Sequence, residues 1–116
     1  MTFEQALEKI GVNTEEVLAR FSGNEMLMKK FILKFAEDKA FPDTKAAIAA
    51  GDKKAIELSA HTLKGVSGNL GFTALYEASA ALVNAVRAGE DEKIQPLGEK
   101  VVALGNDVVS ALLAVE

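Results

Sequence analysis

Residues 61–71 read HTLKGVSGNLG, a stretch that joins the only histidine of the chain to three of its nine glycines. A glycine inside a helix costs about 1 kcal/mol relative to alanine, yet the residues on both sides read as helical. Upstream, Asp52 precedes a segment in which Ile56, Ala60, Leu63, Ser67 and Leu70 recur every three or four residues, the stripe of an amphipathic helix. Lys64, Gly65 and Gly68 follow His61 by three, four and seven residues and share its face, with Glu57 one turn earlier. The core stripe points away from them. The helix therefore carries an outward strip of imidazole, ammonium and two positions with no side chain. Either the bare positions let another molecule approach the backbone, or they let a neighbouring helix pack closely. In both cases helicity must come from packing of the opposite face.

Outward from this segment the same periodicity continues. Thr73 stands where a cap of ALYEASAALVNAVRA is expected, with Leu75, Ala78, Leu82, Ala85 and Val86 inward and Gly89 as the stop. A last segment begins near Asp91 and steps through Ile94, Leu97, Val101, Leu104, Val108 and Leu112. Upstream, Asn24 caps EMLMKKFILKFAEDKA, with Met28, Phe31, Ile32 and Phe35 inward. Pro42 then either kinks one long helix or sits in the first turn of a new one that stops at Gly51. Before these lie two short helices. Thr2 caps the first, which ends at Gly11 and turns Phe3, Leu7 and Ile10 inward. Asn13 caps the second with a capping-box partner at Glu16, and Val17, Leu18 and Phe21 face inward ahead of Gly23. No stretch alternates with period two. The expected fold is all-α: a single domain over 1–116, with short helices in 1–23 covering one end of an antiparallel four-helix bundle formed by 24–116.

Composition narrows the chemistry. The chain of 116 residues suits one core. A net charge of −4 argues against a nucleic-acid surface. Lys29, Lys30 and Lys34 are diluted by apolar neighbours and read as one amphipathic face. There is no cysteine, which excludes disulfides, cysteine-bound metals and thiol catalysis. No apolar run nears the ~20 residues that span a bilayer, and MTFEQALEKIG is no signal peptide. A cytoplasmic protein is expected. A single histidine with only Glu57 nearby makes a poor metal site, so no metal is expected. GVSGNLG lacks the GK[ST] of a nucleotide loop and follows a helix. Ser59, Ser67 and Ser79 sit on no nucleophile elbow. A neutral imidazole nitrogen beside a cation and open space suits attack on a phosphoryl group.

HTLKGVSGNLG resembles the signature of histidine-containing phosphotransfer (HPt) domains of two-component phosphorelays. The likeness extends upstream through AAGDKKAIELSAHTLKG and downstream through LGFTALYEASAALVNAVRAGE, and LARFSGNEMLMKKFILKF looks like the opening of such domains. It implies that His61 is the phosphoacceptor, by family habit through Nε2, and that Lys64 neutralises the phosphoryl oxygens. It implies too that Gly65 and Gly68, with Glu57 beside them, keep the surface open for docking. Gly71 would form the turn out of the helix. Arg87 would stand where relatives often carry a basic residue, either approaching the phosphoryl group or solvated. Many relatives have a polar residue at the place of Val83, so here Asn84 or water must support the phosphohistidine, or nothing does. The implied partners are response-regulator receiver domains and a hybrid sensor histidine kinase. The receiver brings any magnesium ion, and the chain acts as a monomeric phosphoryl carrier with no kinase activity or cofactor of its own. A helical adaptor with an incidental His61 is one alternative. The phosphoaccepting domain of a chemotaxis-type kinase is another, although the starting Met and full bundle favour a free-standing protein.

Overall fold

The computed structural model describes all 116 residues and contains helices only. These are α1 (Phe3–Ile10), α2 (Thr14–Arg20), α3 (Glu25–Lys34), a 3-10 turn at Phe35–Glu37, α4 (Ala40–Ala50), α5 (Lys53–Leu70), α6 (Thr73–Arg87) and α7 (Asp91–Leu113). α4 packs on α5, α5 on α6, α6 on α7, and α7 returns to α4, which closes a four-helix bundle. Two- and three-residue links force successive helices of the bundle antiparallel. No helix is long and apolar enough to cross a membrane.

Local chemistry sets most of the helix ends. The side chains of Thr2, Asn13, Asn24 and Asp52 each accept a hydrogen bond from the backbone N–H three residues on. Thr2 and Gln5 form a reciprocal capping box. The box expected at Asn13 is half formed, because Glu16 turns instead to Arg20 at 3.2 Å. Thr73 is not a cap. Phe72 holds that position and is buried edge-on against Phe35, with ring centroids 5.1 Å apart, so core packing rather than a hydroxyl starts α6. The chain breaks at Phe35–Lys39, ahead of the proline. Asp38 Oδ1 accepts the Ala40 N–H at 2.7 Å, and Pro42 sits in the first turn of α4, where a missing N–H costs nothing.

Of the residues assigned inward on α5, all five are buried: Ile56, Ala60, Leu63, Ser67 and Leu70. Two other stripes match expectation only in part: Met28, Ile32 and Phe35 of the first and Val101, Val108 and Leu112 of the second are buried, and the rest are not. Phe31 stands 44% exposed and stacks on Phe21 at 5.6 Å. On α7, Ile94, Leu97 and Leu104 are only half-buried, whereas Gly98 and Gly105 lie inside. Ile48 and Phe41 of α4 fill the space that side chains at those two glycines would need. Buried hydroxyls are satisfied by their own helices, Thr44 on the Ala40 carbonyl and Ser67 on the Leu63 carbonyl, both at 2.7 Å. Ser79 Oγ is buried without a partner.

α1 and α2 cover the end of the bundle where α5 turns into α6. Val17 and Val12 lie against Gly71, and Gly71 adopts the left-handed φ of +81° that this turn requires.

Candidate functional site

α5 holds the histidine, and three features keep it helical despite its glycines. Asp52 caps its start, the buried stripe anchors its inner face, and Arg20 closes its end. Nη1 of Arg20 donates to the carbonyl oxygens of Gly68 and Asn69, both at 2.9 Å. Those carbonyls belong to the last turn, where backbone acceptors lack helical partners and the helix dipole favours a cation.

His61 is exposed in the middle of this helix, and its ring makes no side-chain hydrogen bond. Lys64 is half-buried one turn on. The two glycines of the strip do different jobs. A Cβ on Gly65 would meet nothing within 4 Å, so the surface beside the imidazole is open there. A Cβ on Gly68 would lie 2.9 Å from Cδ1 of Tyr76, so Gly68 is bare because the Tyr76 ring of α6 packs over it. Gly68 is thus half-buried beneath Tyr76 and open only toward the cleft beside it. Sequence reasoning missed Tyr76 and Arg20 because each acts through a contact with a distant segment.

Glu57, one turn before His61, is half-buried and tied to α6. Its Oε2 accepts a hydrogen bond from Nε of Arg87 at 2.8 Å, and its side chain is only 25% exposed. Arg87 is thereby engaged with α5, although about half of its side chain remains exposed at 51%. Its guanidinium holds the Glu57 carboxyl below the usual carboxylate range. Burial opposes that shift, while the charges of Lys54, Arg87 and His61 reinforce it.

The contacts Gly68–Tyr76 and Glu57–Arg87 fix the register of α5 against α6, since each step along one helix matches an equal step back along the other. That register sets Val83 level with His61 and Ala80 level with Lys64. Val83 is fully buried and apolar. Asn84, the polar substitute considered from the sequence, is exposed and makes no side-chain hydrogen bond. No polar side chain of α6 supports the imidazole.

None of the main clefts is lined by His61. A polar one beside it is lined by Arg20, Lys64, Gly65, Gly68, Asn69 and Tyr76. No three acidic or histidine side chains are grouped to hold a metal ion.

Fold and site together define a helical bundle that displays a single imidazole on its outer flank. The family model described as the Hpt domain matches residues 32–114, and the chain belongs to that family, the histidine phosphotransfer domains of two-component systems. No curated protein and no solved structure matches the chain in the same comparisons. The matched region runs from the end of α3 through α7, so α1 and α2 lie outside it.

Proposed function

We propose that this chain relays a phosphoryl group between the aspartates of receiver domains, with His61 as the intermediate carrier. In the forward step Nε2 of His61 attacks the phosphorus of a receiver's aspartyl phosphate. The N–P bond forms as the P–O bond breaks, and the electron pair leaves on the carboxylate of the receiver. Lys64 balances charge on the phosphoryl oxygens. Gly65 leaves room for the approaching surface. A magnesium ion belongs to the receiver, and the reverse step delivers the group to a second receiver. The upstream donor is the receiver of a hybrid sensor histidine kinase in the cytoplasm, and the carrier works as a monomer without kinase activity of its own.

The observation that carries this reading is the exposed imidazole beside Lys64 and the open position at Gly65. A docking partner that buries about 800 Å² on each side would cover the exposed face of α5 around it.

The test is transfer of radiolabel from a phosphorylated receiver domain. The wild-type chain should gain acid-labile label and His61→Gln should gain none. Label on His61→Gln would overturn the assignment.

A further inference from the structure

We infer that the stacked pair Phe21–Phe31 is the anchor on which a receiver domain docks, so that the partner lies over α5 and α3 rather than over α5 and α6. The inference rests on the reading of His61 as phosphoacceptor and adds which flank of the imidazole the partner grips.

The two flanks of His61 differ. On the side facing α6, Glu57 is bonded to Arg87 at 2.8 Å and Gly68 lies beneath Tyr76. The protein's own contacts occupy that flank. On the opposite side Leu58, Thr62 and Val66 follow one another at intervals of four and form a ridge along the helix beside the imidazole. Leu58 is 60% exposed, and Val66 is half-buried.

The ridge leads into an apolar groove. Val66 and Leu70 of α5 line one side of it, and Phe21, Phe31 and Phe35 line the other. The Phe21 and Phe31 rings are stacked, with centroids 5.6 Å apart and 28° between their planes. Between them the chain reverses through two left-handed residues, Ser22 at φ +54° and Gly23 at φ +77°. Phe35, one turn beyond Phe31, is buried against Phe72, whereas Phe31 keeps 44% of its surface exposed. One aromatic ring thus completes the core and the other is held at the surface on a preformed stack. A rigid, exposed aromatic ring suits the centre of an interface, because it buries a large area and has little freedom left to lose. Both rings of the stack precede residues 32–114 matched by the family model, so α2 and the start of α3 add this anchor to the matched bundle.

The groove is continuous with the phosphoacceptor site. Arg20 and Asn69 line both it and the polar cleft that contains Lys64 and Gly65. Asn69 is eight residues from His61, about 12 Å along the helix axis. A receiver that buries about 800 Å² of this chain covers a disc of roughly 16 Å radius, which extends from the imidazole into the groove. Charge selects the same partner. Lys34 in the groove and Lys64 beside the imidazole have no carboxylate partner, while Arg20 is paired with Glu16. The acidic residue of the groove, Asp38, accepts the Ala40 N–H. The receiver brings negative charge with its aspartyl phosphate. The surface fits a receiver that sets an apolar side chain on Phe31 and an acidic one against Lys34.

The experiment uses Phe31→Ala, Phe31→Tyr, Lys34→Glu and, as a remote control, Leu113→Ala, which changes a 71% exposed side chain at the end of α7. Single-turnover uptake of label is measured against the concentration of a phosphorylated receiver domain. Phe31→Ala should raise the half-saturating concentration about tenfold to thirtyfold, the scale of an interfacial anchor, and leave the rate at saturation unchanged. Lys34→Glu should raise it severalfold, and less so at high salt. Phe31→Tyr, which keeps the stack, and Leu113→Ala should match the wild type. Phosphoramidate, a small donor that needs no docking surface, should label His61 equally in every variant. Weaker labelling of Phe31→Ala by phosphoramidate would assign Phe31 to the fold, and an unmoved half-saturating concentration would place it outside the interface; either result overturns the inference. NMR titration of the wild-type chain with the receiver gives an independent reading: Leu58, Phe31 and Val66 should shift, and shifts confined to Tyr76 and Arg87 overturn it. Label on His61→Gln from either donor removes the relay itself, whichever flank is covered.

Discussion

Arg87 reaches across from the end of α6 to donate a 2.8 Å hydrogen bond to Glu57, one turn before His61. The guanidinium depresses the folded-state pKa of the Glu57 carboxyl. A depressed carboxylate adds stability that is fully present above its unfolded pKa and is lost as pH falls through the folded value. The Glu57–Arg87 ion pair is therefore formed at neutral pH, and its contribution fades only as the carboxyl is protonated under acid conditions. Carbon-13 NMR titration should find Glu57 titrating below the usual range, and Arg87→Met should move it upward. An unchanged titration in that variant would show that the pair is not formed in solution.

Lys64→Ala should slow label uptake from a receiver by about tenfold to a hundredfold, the scale on which a positioned charge at a developing phosphoryl centre acts. Lys64 is half-buried beside a cleft and makes no hydrogen bond or ion pair. Its loss should leave the circular dichroism spectrum unchanged. A collapse of helicity would instead assign Lys64 to the fold.

Gly65 separates stability from function. Nothing stands within 4 Å of a Cβ placed there, so Gly65→Ala should gain about 0.5–1 kcal/mol of helix stability and raise Tm. Gly65→Gln should also fold, yet it plants a long side chain on the open strip and should slow transfer from the receiver. Wild-type transfer kinetics in Gly65→Gln would mean that partners dock elsewhere.

Gly105 lies at the opposite extreme. A Cβ at that position collides with the ring of Phe41 from α4. Gly105→Ala should destabilise the bundle by about 1–3 kcal/mol through overpacking, against a helix-propensity gain of about 1 kcal/mol. Denaturant unfolding should show the loss, and adding Phe41→Leu should recover part of it, a coupling that a double-mutant cycle reads directly. Independent effects of the two changes would contradict the packing described.

What the sequence disclosed follows the range of the forces involved. Caps at Thr2, Asn13, Asn24 and Asp52 depend on residues three apart, and each forms as expected. The buried face of α5 depends on helical periodicity and is equally legible. Features set by contact between distant segments were not. Phe72 starts α6 because its ring packs on Phe35, which displaces the cap expected at Thr73. The buried face of α7 turns toward Gly98 and Gly105 because α4 supplies Ile48 and Phe41 to fill the gap. Within the site, His61, Lys64 and Gly65 could be placed from spacing alone. The cover of Tyr76 over Gly68 and the capture of Arg87 by Glu57 needed the register between α5 and α6, which one chain's periodicity does not contain.

The most direct measurement is phosphorus NMR of the chain after exposure to a phosphorylated receiver, with nitrogen-15 in the histidine ring. The account predicts one phosphoramidate resonance coupled to Nε2 of His61. A phosphate ester signal on a hydroxyl side chain, or no resonance beyond free phosphate, would contradict it.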